Sequence, residues 1–361
     1  MATLTEVSQI SKKIIKWGII MLVIISLIPG ILAIINKVYL VMNPPPPPPP
    51  TVKYGKLPPL VFPQAAQTAT PAYTLQTISG SLPSLPNVSK VYPVGVNKSR
   101  LLELQRMTDR AKIFGMINDP IQLNDVTYRF TNPRAPIDMV YNVITGGISY
   151  RYDWTIDTTI YSNFNVPDKQ SAVKEARSFL DRMGVLPADL ANGDSNVIYL
   201  AATASAMVPA LSSYEANFVR VDLFRAEKDE KIPGVGQTVT MKFVTAGGDT
   251  SPVNVIISGV DGDGRIVQAN YYYSQILGDD WATYPLKSVQ NAWKELTSGG
   301  GYIAKRTAQT QVTIRHVTMA YYESSQQQDF IQPVYVFDGD QGFMAYVSAI
   351  DPNWIETSTS K

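Results

Sequence analysis

Residues 12–50, KKIIKWGIIMLVIISLIPGILAIINKVYLVMNPPPPPPP, decide the architecture of this chain. Lysines open the stretch, a run from Trp17 to Ile35 without a charged residue follows, and seven prolines close it. An α-helix that crosses a hydrocarbon core of roughly 30 Å needs about 20 apolar residues. The uncharged run, extended to Met42, meets that length. The sequence therefore predicts a transmembrane helix over residues 14–42, after a cytoplasmic tail of residues 1–13.

The residues around this run indicate its orientation. Positive charge before an apolar span favours a cytoplasmic N-terminus, which sends the rest of the chain to the other side of the membrane. A helix breaker such as Pro29 is compensated locally in a membrane span, and the long side chain of Lys37 can reach the interface. The predicted membrane-anchor residues, in contact with lipid, are Lys12, Lys13, Lys16, Trp17, Pro29 and Lys37.

A cleaved signal peptide is the alternative for this segment. Its apolar region spans about 7–15 residues and ends in a small-residue cleavage site. The run is longer here, and no clear Ala-x-Ala pattern ends it, which favours an uncleaved anchor. The predicted location is therefore the cell membrane, with a single span and an extracytoplasmic C-terminal part.

Residues 43–85 are predicted to be a proline-rich extended linker. The prolines from Pro44 to Pro50 adopt polyproline II at about 3.1 Å per residue, which gives a rod on the order of 20 Å. Such a rod is either a docking site for a proline-binding module or a spacer. The spacer is favoured, because modules that bind proline runs are not expected outside a cell.

The composition limits the partners of the chain. It has 31 Lys and Arg against 30 Asp and Glu, so it carries no strong basic field that would recruit nucleic acid. It has no cysteine, so no disulfide stabilises the exported part. A hydrophobic fraction of 45% with 20 tyrosines indicates folded, strand-rich structure.

Three segments share one apolar register, with spacings of three, four and three residues. This is the stripe of an amphipathic helix that packs on one face. Each stripe runs into a glycine that suits a left-handed C-cap, and Asp168 is the predicted N-cap of the second helix. The stripes are Leu104, Met107, Ala111, Phe114; Val173, Ala176, Leu180, Met183; and Leu286, Val289, Trp293, Leu296, followed by Gly115, Gly184 and Gly299.

Strand-like runs follow each helix, and several alternate apolar with charged residues, as in Val219-Arg220-Val221-Asp222-Leu223. That alternation is typical of an antiparallel sheet with one wet face. One helix on the other face of such a sheet makes a standard α+β layer. The sequence therefore predicts an α+β fold of three tandem helix-plus-antiparallel-sheet modules, over residues 86–165, 166–278 and 279–361.

The C-terminal part resembles a known group of proteins. The features are the helix of residues 286–296, the glycines at 299–301 and the strand residues Tyr302-Ile303, Tyr321-Tyr322, Gln332-Pro333-Val334-Tyr335-Val336-Phe337 and Ala345-Tyr346-Val347-Ser348-Ala349. They look like the C-terminal module of YycH/YycI-type bacterial regulators and, more loosely, like PepSY-type domains. The resemblance implies a bitopic protein with an external α+β domain that contacts a membrane sensor kinase.

The chain carries few parts of a catalytic or metal site. With His316 as its one histidine and no cysteine, a catalytic triad or a zinc site lacks its components. Asp261–Gly264 and Asp338–Gly342 resemble pieces of calcium loops. Both lie between strand-like runs, where Asp-Gly favours a tight turn instead. The sequence therefore predicts no enzyme activity, no cofactor and no bound metal.

Clustered aromatic residues are the best candidates for an interaction surface. Tyrosine offers a large contact area at a low entropy cost. Alternation along a strand sends neighbours to opposite faces, so about half of these side chains are expected in the core. The candidates are Tyr150, Tyr152, Trp154, Tyr271, Tyr272, Tyr273, Tyr321 and Tyr322.

These features together predict a single-pass, extracytoplasmic binding or regulatory protein that contacts another envelope protein, for which the resemblance names a sensor kinase. A structural subunit of a cell-surface assembly is the alternative. An envelope hydrolase is a weaker one, and it requires clustered carboxylates in a deep cleft.

Overall fold

The computed structural model describes residues 4–42, 48–63, 70–96, 100–233, 235–236 and 238–357, without the side chains of residues 4–15, 20, 23–24, 40–42 and 100. The first three residues of the predicted tail and positions 43–47 and 64–69 of the predicted linker lie outside the described residues. The chain divides into two compact units, Met1–Pro49 and Pro50–Lys361.

The first unit contains one long helix, α1 (Leu4–Met42), with Pro29 inside it. This helix covers the predicted helix of residues 14–42 and begins earlier, so the described part of the predicted tail is helical as well. Among the described residues, we find no helix whose length and apolar character together suffice for a membrane crossing.

The second unit is a mixture of helices and sheets, which confirms the predicted α+β class at this level. Its helices are α2 (Arg100–Ile113), α3 (Thr158–Tyr161), α4 (Lys169–Arg182), α5 (Ala188–Ala191) and α6 (Val289–Thr297). Its strands are β1 (Ala72–Leu75), β2 (Val88–Pro93), β3 (Ile121–Asn124), β4 (Thr127–Thr131), β5 (Ile137–Asn142), β6 (Ile148–Tyr152), β7 (Ser195–Ala202), β8 (Met207–Pro209), β9 (Phe218–Leu223), β10 (Lys228–Lys231), β11 (Thr238–Thr245), β12 (Val253–Ser258), β13 (Ile266–Tyr271), β14 (Ala282–Pro285), β15 (Tyr302–Lys305), β16 (Gln311–Glu323), β17 (Phe330–Gly339) and β18 (Met344–Ser348).

Nine of these strands form sheet I, in the order β3-β4-β5-β6-β13-β12-β9-β7-β8. Every neighbouring pair in it is antiparallel, as predicted for this part of the chain. Along β5 the side chains are alternately buried and half-buried, which is the pattern of a strand with one face on the core. Helices α2 and α4 share this apolar core, α4 through Ala172, Ala176 and Phe179.

Sheet II contains the other nine strands around β16, which is 13 residues long. Strand β16 pairs with β17 in antiparallel fashion, but β1 and β11 both run parallel to it. The expectation of purely antiparallel sheets is therefore wrong for sheet II. Strands β1 and β11 lie far from β16 in the sequence, so they reach it through long connections, which permit parallel pairing, and not through hairpins.

The predicted helix caps match the structure. Asp168 caps α4, because its side chain accepts hydrogen bonds from the backbone N–H groups of Gln170 and Ser171. The three glycines predicted as C-caps all have left-handed backbone angles, with φ of 75° at Gly115, 66° at Gly184 and 86° at Gly299.

Residues 51–63, which the sequence places in the linker, pack along sheet II, and we call them the strap. Leu57 of the strap is completely buried and its backbone exchanges hydrogen bonds with Trp354 and Glu356, both at 2.8 Å. The ring of Phe62 stacks on Tyr302 with a centroid distance of 4.7 Å. The strap is extended apart from a turn at Val52–Gly55, and it is an integral part of the folded unit.

The predicted modules exchange strands between the two sheets. Strand β6 from residues 86–165 pairs with β13 from residues 166–278 in sheet I. Strand β2 from residues 86–165 and strands β10 and β11 from residues 166–278 join sheet II with the C-terminal strands. These pairings connect positions far apart in the sequence, which local hydrophobic patterns do not encode.

Candidate functional site

The structure places most of the predicted aromatic surface in the core. Tyr272 is exposed, with 40% of its surface accessible, and Tyr273 is half-buried. The residues that are buried, and so offer no contact surface to a partner, are Tyr150, Tyr152, Trp154, Tyr271, Tyr321 and Tyr322.

The reason for this burial differs between the two sheets. In sheet I, Tyr150 and Tyr152 lie two positions apart on β6 and therefore share one face, and the ring of Tyr150 packs edge-on against Phe179 of α4 at 5.3 Å. In sheet II, both faces are covered. Tyr321 lies in one core cluster, and Tyr322 lies in another, 4.7 Å from the strap residue Phe62.

The segment Tyr271–Tyr273 begins at the last residue of β13 and borders a recessed surface that we call the central cleft. A cavity of about 480 Å³ on one side of it is lined by Tyr271, Tyr273, Met107 and Arg110. A smaller one of about 70 Å³ on the other side is lined by Tyr272 and the loop Ser324–Gln328. The aromatic motif singled out in the sequence therefore does border concave surface, although only part of it is accessible.

Arg225 is buried next to Tyr273, one of the residues that line the central cleft. Its guanidinium lies 3.8 Å from the ring centroid of Tyr273, and its Nη1 donates to Asp189 at 2.8 Å. The Tyr273 hydroxyl donates to the same Asp189 carboxylate at 2.9 Å. Burial raises the pKa of the Tyr273 phenol, Arg225 lowers it and Asp189 raises it, so the phenol stays protonated and serves as a donor.

Charged and phenolic groups also line the larger cavity. Burial raises the pKa of Tyr141 to about 12, with Glu103 raising it further and Arg110 opposing. The cavity therefore offers a phenol, a carboxylate and a guanidinium beside apolar walls, a composition that suits binding of a polar and apolar surface together.

A second buried polar cluster lies in sheet II around Glu230. Its carboxylate accepts a hydrogen bond from the Tyr92 hydroxyl at 2.6 Å and pairs with Lys90 at 2.9 Å and Lys228 at 3.1 Å. Burial acts to raise the pKa of Glu230, but the hydrogen bonds from Tyr92 and Lys90 and the charge of Lys228 outweigh it. The pKa of Glu230 therefore lies below its ordinary value.

Sequence reasoning missed the ion pairs of Arg225 with Asp189 and Glu323, which lie next to the cleft residue Tyr273. No local signal marks them, because they lie on separate elements and meet only in the folded chain. In the part of the chain that the structure describes, no three His, Cys, Asp or Glu side chains are grouped so that they could hold a metal ion.

The predicted anchor residues all lie in α1. Lys16, Trp17, Pro29 and Lys37 are exposed there. The side chains of Lys12 and Lys13 lie outside the described residues.

Comparison with known proteins gives little guidance. No protein-family model and no curated protein matches the chain. Among solved structures, an uncharacterized protein from Eubacterium rectale ATCC 33656 is 12% identical, with 73% of this chain and 84% of that chain covered and a TM-score of 0.37. The Bacillus megaterium YpeB C-terminal domain is 13% identical, with 73% and 97% covered and a TM-score of 0.31. At such low TM-scores neither similarity supports a conclusion, and the resemblance to YycH/YycI-type and PepSY-type proteins stays a prediction.

Proposed function

We propose that this chain is a single-pass, membrane-anchored extracytoplasmic protein that binds another envelope protein and regulates it. Residues 14–42 are the anchor, and the unit Pro50–Lys361 is the binding part. A sensor kinase is the proposed partner, on the basis of the resemblance of the C-terminal residues. This role does not require the three predicted helix-plus-sheet modules to fold as separate repeats.

The observation that carries the proposal is the exposure of apolar side chains along α1. The large apolar side chains that the structure describes between Trp17 and Ile35 are 46% to 70% exposed, in a run that contains no charged residue. A contiguous apolar surface of this kind is buried by a membrane or by another protein. Lysines on the N-terminal side favour the membrane with the N-terminus in the cytoplasm.

The central cleft supports binding as the role of the second unit. Exposed Tyr272 lies beside the serine- and glutamine-rich loop Ser324–Gln328, so one patch offers an aromatic ring and several hydrogen-bonding side chains. Aromatic residues inside a polar rim are typical of protein–protein contacts.

The anchor is tested by extraction of membranes with alkaline carbonate, which releases peripheral proteins. The full chain should stay in the membrane pellet, and the variant with Ile25→Arg and Leu32→Arg should move to the soluble fraction, because charge in a span is costly. Arginine at two other exposed apolar positions, Ile78→Arg and Leu211→Arg, is the matched control and should leave the protein in the pellet. Release of the unaltered chain by carbonate would reject the anchor.

The partner is tested by a photo-crosslinking amino acid placed at Tyr272 in intact cells, followed by identification of the attached protein. The control places it at Tyr214, which is 89% exposed and lies outside the cleft. A single envelope protein crosslinked from Tyr272 but not from Tyr214 is the expected result. Many copies of subunits from a large surface assembly would favour the structural role instead.

A further inference from the structure

A second concave surface, the α2–α4 groove, lies apart from the central cleft. Its volume is about 630 Å³, within the range of roughly 300–1,000 Å³ that is typical of ligand sites. We define the groove by Phe114 and Ile117 just after α2, Arg134 in the β4–β5 loop, Tyr150 on β6, and Phe179 and Arg182 on α4.

The floor of the groove is aromatic. The ring of Phe179 lies 5.2 Å from Phe114 and 5.3 Å from Tyr150, with both neighbours edge-on. At the rim, Ile113 and Ile117 are more than half exposed. An apolar side chain that entered the groove would therefore cover the accessible surface of these isoleucines and of half-buried Phe114.

The charges around the groove favour an acidic ligand. Arg265 and Glu175 neutralise each other through two hydrogen bonds of 2.7 and 2.9 Å. Among the residues that the structure describes, Arg134 and Arg182 form no ion pair, and the guanidinium of Arg182 lies 5.5 Å from the Phe114 ring. Asp263 also lines the groove. Without the neutral pair of Arg265 and Glu175, the lining therefore carries two positive charges and one negative charge.

The wall that carries Arg134 is fixed in place. The Asn132 side chain donates to the Phe114 carbonyl at 3.2 Å and accepts from the Arg134 N–H at 2.8 Å, which ties the β4–β5 loop to the end of α2. Gly115, with φ of 75°, allows this close approach, because a Cβ there would lie 2.5 Å from Asn132 Nδ2. A preformed wall lowers the ordering cost of binding.

We infer that the α2–α4 groove binds an extended segment of a partner protein that carries an acidic side chain next to a bulky apolar one. The apolar side chain packs on Ile113, Phe114 and Ile117, and the carboxylate pairs with Arg182 and Arg134. Arginine and aromatic residues together are the composition of protein-contact hot spots. The inference rests on the proposed function, since it names the chemistry of the partner segment.

The test selects displayed random peptides on the full chain held in detergent micelles. Recovered peptides should pair Asp or Glu with Leu, Ile or Phe, and Arg182→Glu should weaken their binding by about tenfold or more. The matched control is Arg151→Glu, an exposed arginine on β6 whose side chain alternates to the face opposite Tyr150. That variant should bind as the unaltered chain does.

Three results would overturn the inference: recovery of no peptide, recovery of peptides without an acidic residue, or equal binding to Arg182→Glu. Both arginines are exposed, so neither substitution should unfold the chain. Thermal unfolding of both variants checks this and so separates loss of binding from loss of fold. The peptide assay does not depend on the membrane or on Tyr272, so its failure is distinct from failure of the carbonate and crosslinking tests.

Discussion

Arg225 and Glu323 form a buried ion pair that joins the two sheets. Arg225 follows β9 of sheet I, and Glu323 ends β16 of sheet II. The guanidinium donates from Nη2 to Glu323 Oε1 at 2.7 Å and from Nε to Oε2 at 3.0 Å, and it also donates to the Ser274 carbonyl. The contact between the sheets is therefore polar and directional at this point, which fixes their relative orientation more narrowly than apolar packing alone.

Loss of the Arg225 side chain should destabilise the protein strongly. We expect Arg225→Ala to lower the free energy of unfolding by about 3–5 kcal/mol, because it leaves Glu323 buried without its partner. Urea denaturation of the full chain in micelles measures the change. The exposed pair between Asp109 and Lys112 is the control, and Asp109→Asn should have no measurable effect. A small effect of Arg225→Ala would mean that water reaches this pair.

Glu230 should make the stability depend on acid pH. The pKa of Glu230 is lower in the folded chain than its ordinary value of 4.5, so its stabilising contribution is complete above that value. The contribution is lost as the pH falls through the lowered folded pKa. Glu230→Gln should therefore reduce stability by about 1.5–3 kcal/mol at neutral pH, and the difference from the unaltered chain should shrink on acidification.

The neighbouring exposed carboxylate provides the control for this pH effect. Asp229 lies beside Glu230 on β10 but is exposed. Asp229→Asn should leave the acid dependence unchanged in urea denaturation at a series of pH values. If the free energies of unfolding of Glu230→Gln and the unaltered chain differed by the same amount at all pH values, this would contradict the lowered pKa of Glu230.

The strap should behave as core and not as linker. Leu57 is completely buried, whereas Ile78, also in the predicted linker, is 96% exposed. We expect Leu57→Ala to cost about 2–5 kcal/mol of stability, as for other buried leucines, and Ile78→Ala to stay within about 0.5 kcal/mol. Thermal and urea unfolding of the two variants measure this contrast. Equal stability of both would show that the strap detaches readily.

Gly193 should not tolerate a side chain, because the backbone of a neighbouring segment passes close to it. A Cβ at this position would lie 1.9 Å from the Phe224 carbonyl oxygen. Gly193→Ala should therefore lower stability by about 1–3 kcal/mol through overpacking. Gly278 has nothing within 4 Å, so Gly278→Ala is the matched control, with little change expected in the same unfolding measurement.

Local patterns predicted helices α2, α4 and α6 and four of their capping residues, but not the short helices α3 and α5. The apolar stripes correspond to α2, α4 and α6, and Asp168, Gly115, Gly184 and Gly299 cap them as expected. Helix α6 begins at Val289 and not at Leu286, since Leu286 is held by a bridge to Ile350 before Ser288 caps the helix. These features depend on residues close together in the sequence, which is why the sequence shows them.

The same local patterns do not predict which distant strands pair with each other. The parallel neighbours of β16 and the packing of the strap depend on contacts between distant segments. The candidate site likewise combines a feature that local sequence shows with features that depend on distant contacts. The motif Tyr271–Tyr273 borders the central cleft, as its sequence suggested. The exposure of Tyr272 and the contact of Arg225 with Asp189 depend on how the strands are arranged in the fold, which the motif does not show.

The strap also constrains the order of events when the protein is made. Its carbonyl at Pro58 accepts a hydrogen bond from Gln332, 274 positions later, and Leu57 forms a bridge with Ile355. At translation rates of about 5–20 residues per second, these partners appear on the order of tens of seconds after the strap. During synthesis Leu57 and Phe62 must therefore be shielded from other chains until residues 302–356 have been made, and sheet II closes only then.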